Sequence, residues 1–84
     1  MDELITLNDG TVIEGYFIVS DNRLFVYMKN ISLSDAFAAL IDPEKTSVIS
    51  ENRYGEVSTV QGYNHLYAIT EESETMVSAV LRKS

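Results

Sequence analysis

The chain has no cysteine, no tryptophan, one histidine, one proline and four glycines in 84 residues. Without cysteine it has no disulfide staple, no thiolate zinc site and no cysteine nucleophile. Its glycines stand singly, at Gly10, Gly15, Gly55 and Gly62, so no glycine-rich loop is there to cradle a phosphate. Basic side chains are scarce too, six against 13 acidic, for a net charge of -7 and a pI near 4.4. Arg23, Lys29, Lys45, Arg53, Arg82 and Lys83 are scattered along the chain, and within that set only Arg82 and Lys83 are adjacent. The basic stripe that displaces counterions from DNA or RNA is therefore not expected, and nucleic acid is not the expected partner. No apolar run approaches the roughly 20 residues of a membrane-spanning helix. Met1-Asp2-Glu3 lacks the positive start and apolar run of a signal peptide. The expected setting is the cytoplasm or a virion, away from membranes.

What is present is apolar enough to fold: 45% of the residues are hydrophobic. The length fits one domain, residues 1–84, with a modest core, since domains this small bury only about 60% of their unfolded surface. Leu4 to Leu7 is short and apolar, and Asn8-Asp9-Gly10 after it is hairpin chemistry. Thr11 to Ser20 reads as a strand with apolar residues on both faces, hence central or strongly bent. Gly15 in its middle signals a bulge or a close backbone approach. After a turn at Asp21-Asn22-Arg23, Leu24 to Lys29 is a third strand. Residues 4–29 should form an antiparallel meander.

The hydrophobic period then changes. Leu33, Phe37, Leu40 and Ile41 fall on one helical face, and Ser32 with Asp35 resembles a capping box. The expected helix covers about 32–41 and stops before Pro43, which could open one more turn through Glu44-Lys45-Thr46. Ser47 to Glu51 and Val57 to Tyr63 are the next strands, around a turn at Asn52-Arg53-Tyr54-Gly55. His65 to Glu71 and Thr75 to Arg82 form a last hairpin over Glu72-Ser73-Glu74. The expected class is mainly β, α+β in arrangement: a small antiparallel barrel or strongly curved sheet of about six to seven strands with one helix.

Few residues suggest chemistry. His65 is the sole imidazole and alternates with Tyr67 and Ile69 along a strand, as a structural or surface histidine would. Glu71, Glu72 and Glu74 lack the alternating acids and fixed glycine of a calcium loop, and read as a solvated turn that guards a hairpin end. Asp42 and Glu44 flank a proline and make no better site. Paired carboxylates that cleave sugars need a deep cleft. No enzyme activity, metal or cofactor is expected. The tyrosines carry more. An apolar body with a polar tip either finishes a thin core or suits a protein interface, and Tyr54 and Tyr63 fall at or near turns. The candidate interface is Arg53, Tyr54 and Gly55 together with Gln61, Tyr63 and Asn64.

Two resemblances bear on this. The stretch Leu7-Asn8-Asp9-Gly10-Thr11-Val12-Ile13-Glu14-Gly15-Tyr16-Phe17, with Asp21 and Leu24, resembles the first motif of the Sm-like RNA-binding family, and Val60-Gln61-Gly62 resembles the start of its second. The resemblance implies a bent small barrel that forms a ring. It departs where RNA would be read: Phe25 stands in the place of an asparagine and Gln61 in that of an arginine, and the helix interrupts the strands instead of preceding them. The wider layout is similar to small uncharacterised phage and prophage proteins of Gram-positive bacteria. There the matched parts are the early hairpin, the Leu33–Leu40 helix running into Asp42-Pro43-Glu44-Lys45-Thr46, the spacing of Gly62, Tyr63, Leu66, Ile69 and Glu71, and the closing Leu81-Arg82-Lys83. That resemblance implies a virion or assembly component.

The expected function is a non-enzymatic structural or assembly module that works through protein–protein contacts, with itself among the expected partners. The alternatives are a small-barrel oligonucleotide binder and an acidic inhibitor of a basic host protein.

Overall fold

The computed structural model describes residues 3–8, 10–41, 48–63 and 65–83. Seven strands and one helix follow in the order β1 (Leu4–Thr6), β2 (Val12–Ser20), β3 (Arg23–Lys29), α1 (Leu33–Leu40), β4 (Val48–Arg53), β5 (Glu56–Gln61), β6 (His65–Ser73) and β7 (Met76–Arg82). All seven strands form one antiparallel sheet, ordered β5-β4-β1-β2-β3-β7-β6. Closure into a barrel would need β5 to pair with β6. Instead they are the two edges, and α1 lies against β6. The mainly β class with one helix stands, and of the two expected forms the open sheet is the one found.

Turn residues set the strand ends. Gly10 takes φ 91°, its N–H donates to the Leu7 carbonyl at 2.9 Å, and the Leu7 N–H donates to Thr11 at 2.8 Å. Asn8 in this turn donates from Nδ2 to the Leu40 carbonyl at 2.8 Å, satisfying a backbone acceptor that the end of α1 leaves free. The meander over 4–29 is as expected. The last two hairpins turn slightly later than expected, at Tyr54-Gly55 and at Glu74-Thr75.

Bending is concentrated at Gly15. β2 pairs with β1 through residues 12–14 and with β3 through 15–20. A Cβ at Gly15 would lie 2.2 Å from the Tyr27 carbonyl oxygen and 3.1 Å from Ile5 Cγ2. This is the close backbone approach that a mid-strand glycine signals. The Gly15 N–H donates to Glu3 at 3.0 Å, and the ladder to β1 then runs out. Two residues on, the Phe17 N–H finds the Glu51 carboxylate of β4 at 2.5 Å. A side chain thus replaces the missing strand partner, and Glu51 is buried for that purpose, at 7% exposure.

The core lies on one face of the sheet. Leu24, Val26 and Met28 of β3 face it beside Val77, Ala79 and Leu81 of β7, with Ile5, Phe17 and Ile49 closing the other end. Each large side chain withdrawn from water contributes about 1.5–3 kcal/mol before entropy is counted. Ser32 caps α1, its Oγ accepting from the Asp35 N–H at 3.1 Å. The buried helical face differs from the expected one. Ala36, Ala39 and Leu40 enter the core, while Leu33, Phe37 and Ile41 remain 39%, 49% and 39% exposed. Two alanines let the helix sit close to the sheet, and the larger side chains are left on its flank. The further turn expected through Glu44-Lys45-Thr46 lies outside the described residues.

Candidate interaction surface

The structure divides the six candidate interface residues. Arg53, Tyr54 and Gly55 form the tip of the β4–β5 hairpin, and Gln61 is exposed at the opposite end of β5. Tyr63 is not a surface residue: it is 4% exposed, part of the core, with the Lys83 ammonium 5.3 Å from its ring centroid. Gly62 just before it takes φ 89°, a turn conformation open to glycine. Asn64 lies outside the described residues.

Tyr54 and Gly55 have φ 57° and 81°, the two positive values of a type I′ hairpin turn. Asparagine or glycine suits the first position. A tyrosine there is strained, by an amount on the order of 1 kcal/mol. Its ring is nevertheless 77% exposed. Behind it the Arg53 guanidinium sits 5.1 Å from the Tyr54 centroid and 4.6 Å from that of Tyr16, and Tyr16 stacks on Tyr27 at 4.8 Å. This ladder of tyrosine, arginine, tyrosine and tyrosine joins β4 to β2 and β3 just beyond the end of β1. Arg53 also lies 3.9 Å from Glu3. A side-chain hydrogen bond to Tyr54 raises the Arg53 pKa above its ordinary value, against some desolvation, with the Glu3 and Glu51 charges acting in the same upward direction. Arg53 is thus a permanent cation that buttresses the displayed Tyr54 ring.

Next to this tip runs the open edge β5, Glu56-Val57-Ser58-Thr59-Val60-Gln61. Five of its six residues are exposed, Val57 at 73%. It has one charge, no proline, and a β4 ladder without a register shift. The other edge is built differently. β6 is interrupted by register shifts between Leu66 and Ala68 and between Glu71 and Ser73, carries Glu71 and Glu72, and has α1 beside it. Bulges, charge and cover are the usual protections of an edge strand; among the described residues β5 has neither bulge nor cover, and its one charge, Glu56, stands at its first position.

A second cluster gathers at one end of β3, β7 and β6. Arg23 and Arg82 are direct cross-strand partners, and His65 is the β6 partner of Arg82. Tyr67 sits in the β6 bulge, 61% exposed, with both guanidinium carbons 5.5 Å from its ring centroid. Along the chain these basic residues are scattered. Their alignment depends on the β3–β7 pairing, for which no local signal exists. Phe25 and Gln61, where the Sm-like resemblance would place RNA contacts, stand on β3 and β5 and are not brought together. Among the described residues no cluster of three or more His, Asp or Glu could hold a metal ion, and no helix is long and apolar enough to cross a membrane. No family model, curated protein or solved structure matches the chain.

Proposed function

We propose that this chain is a non-enzymatic structural or assembly module that acts through protein–protein contacts, and that its partner along β5 is a second copy of itself. The contrast between the two sheet edges carries the reading: one is bulged, acidic and has α1 beside it, the other is regular in register, nearly uncharged and, among the described residues, uncovered.

Geometry limits how two β5 strands can meet. A two-fold axis through an antiparallel edge pair keeps each sheet face on its own side, so residues of one face meet residues of the same face. Either Ser58 or Thr59 then lies on the axis. With Ser58 there, Val57 meets Thr59, Glu56 meets Val60, and Tyr54 of one copy lies opposite Gly62 of the other. With Thr59 there, Val57 meets Gln61 and Glu56 meets Gly62. In both registers Glu56, the one charge of the strand, faces an uncharged residue, so a chain of net charge -7 pairs here without local repulsion. Antiparallel pairing also brings together the two ends of β5, where the candidate residues Tyr54 and Gln61 lie.

The test is solution mass by light scattering after size exclusion, from about 100 µM downward, at two salt concentrations. The short contact predicts a dimer that dissociates on dilution and tightens as salt screens the net charges. Val57→Lys and Thr59→Lys, both at exposed positions, should leave the circular dichroism spectrum unchanged and give a monomer. A monomer under every condition, or a dimer indifferent to both lysines, overturns the reading.

A further inference from the structure

The row of basic side chains on β7 and β3 is unusual for this chain. Like charges placed directly opposite on neighbouring strands repel, yet Arg23 faces Arg82, with His65 as the β6 neighbour of Arg82. Lys83 follows at once, its N–H donating to the Asn22 carbonyl at 3.3 Å. Three of the six lysines and arginines thus collect at one end of a sheet whose chain carries 13 acids. Among the described residues, neither Arg23 nor Arg82 has an ion-pair partner; the ion pair described is Arg53 with Glu3.

The surroundings have the shape of a site. A cleft of about 440 Å³ is lined by Ser20, Asp21, Asn22, Arg23, Phe25 and Arg82. A second, of about 280 Å³, lies on the other side of Arg82 and is lined by His65, Leu66, Tyr67 and Lys83 as well. The register shift at Tyr67 is a bulge, a device that re-aims one side chain, and here it carries the Tyr67 ring to both guanidinium groups. Two arginine forks present paired N–H donors, the arrangement that recognises phosphate oxygens. The Ser20 hydroxyl and Asn22 add neutral partners, and Phe25 and Tyr67 add aromatic surface. Asp21 is the opposing carboxylate and favours a ligand seated toward Arg82.

We infer that this end of the sheet binds a small phosphate-bearing anion of nucleotide size, a phosphomonoester attached to a planar ring. The cleft volume is in the range of small-ligand sites. A long polyanion is disfavoured because the field of the whole chain is negative, whereas a single phosphate group meets the cations at short range. The site is remote from β5 and does not depend on the pairing proposed there.

The experiment is calorimetric titration at low salt with adenosine 5′-monophosphate, inorganic phosphate and adenosine, on the wild-type chain and on Arg23→Gln and Arg82→Gln. Adenosine monophosphate should bind, inorganic phosphate should bind more weakly, and adenosine alone should not bind. Each glutamine variant should weaken nucleotide binding at least tenfold. Equal affinity for free phosphate and nucleotide would assign the site to the phosphate alone and overturn the planar-ring part. A second readout separates binding from folding. Without ligand, both variants should melt about 1–4 °C higher, because the opposed charges are relieved. No binding by any probe at millimolar concentration, or nucleotide binding unchanged in both variants, overturns the inference.

Discussion

Replacing Gly15 with alanine tests how the sheet bends. The added Cβ would start 2.2 Å from the Tyr27 carbonyl oxygen, where real Cβ atoms are essentially never closer than 3.0 Å. β2 and β3 must part there by about 0.8 Å, the difference between those two distances. A ladder hydrogen bond of about 2.9 Å stretched by that much is no longer a hydrogen bond. Losing about two of them costs about 1–3 kcal/mol. Crowding against Ile5 Cγ2, at 3.1 Å, adds about 1 kcal/mol. The lower chain entropy of alanine returns about 0.5–1 kcal/mol. The net loss is about 1–3.5 kcal/mol, from a total stability of about 4–13 kcal/mol for a chain this long. In melting temperature that is a fall of about 4–28 °C. Gly10→Ala is the control. Its φ is 91° but nothing lies within 4 Å of the new Cβ, so only backbone strain of about 1–2 kcal/mol is added. Urea titration followed by far-ultraviolet circular dichroism measures both. A Gly15→Ala chain within 1 kcal/mol of wild type, or more stable than Gly10→Ala, would refute the close approach as the source of the bend.

Glu51→Ala should lose about 1.5–3 kcal/mol in the same titration because the buried Phe17 N–H is left without an acceptor. Glu51→Gln keeps an acceptor oxygen and should retain part of that loss; equal damage in both variants would show that the hydrogen bond is not what matters. Ser32→Ala removes the cap on Asp35 and should cost about 1 kcal/mol, with a change below a few tenths counting against the cap.

Local signals were legible in the sequence, and long-range ones were not. Asn8-Asp9-Gly10 announced the first hairpin, Gly15 the close approach, and Ser32 the start of the helix, because each acts on neighbours within a few residues. Strand order was not legible. β1 pairs with β4 and β3 with β7 across long stretches of intervening chain, and the hydrophobic pattern of a strand says which face is buried without saying beside whom. The same limit hid the cation row, which exists only in the β3–β7 register. Size misleads in the helix: periodicity weights large apolar residues, so Leu33 and Phe37 stand on the expected face ahead of Ala36 and Ala39. The chemistry of Tyr63 suits both a thin core and an interface, and the structure puts it in the core. In the candidate interface, the Arg53-Tyr54-Gly55 turn was legible because a two-residue hairpin tip projects by construction. Glu51 behind it was not legible, since its role exists only where β1 ends.

Two features of the β4–β5 region weaken the isolated chain, and on the proposed reading they have one cause. Tyr54 occupies a position where asparagine would be relaxed, and its ring is 77% exposed. Among the described residues no strand pairs with the outer edge of β5, whereas the chain bulges and charges its other edge, β6. If both features are there to be covered by a second copy, relaxing one should strengthen the monomer and weaken the pair together. Tyr54→Asn supplies the preferred type I′ residue and removes the ring that would lie beside Gly62 of the second copy. It should raise the monomer's melting temperature by about 4–8 °C for each kcal/mol of strain released, and it should shift the light-scattering dilution curve toward monomer. Higher stability with dimerisation unchanged would detach Tyr54 from the interface and leave β5 to account for it alone. Lower stability would show that stacking on Arg53 outweighs the backbone strain, and the strain argument would fall.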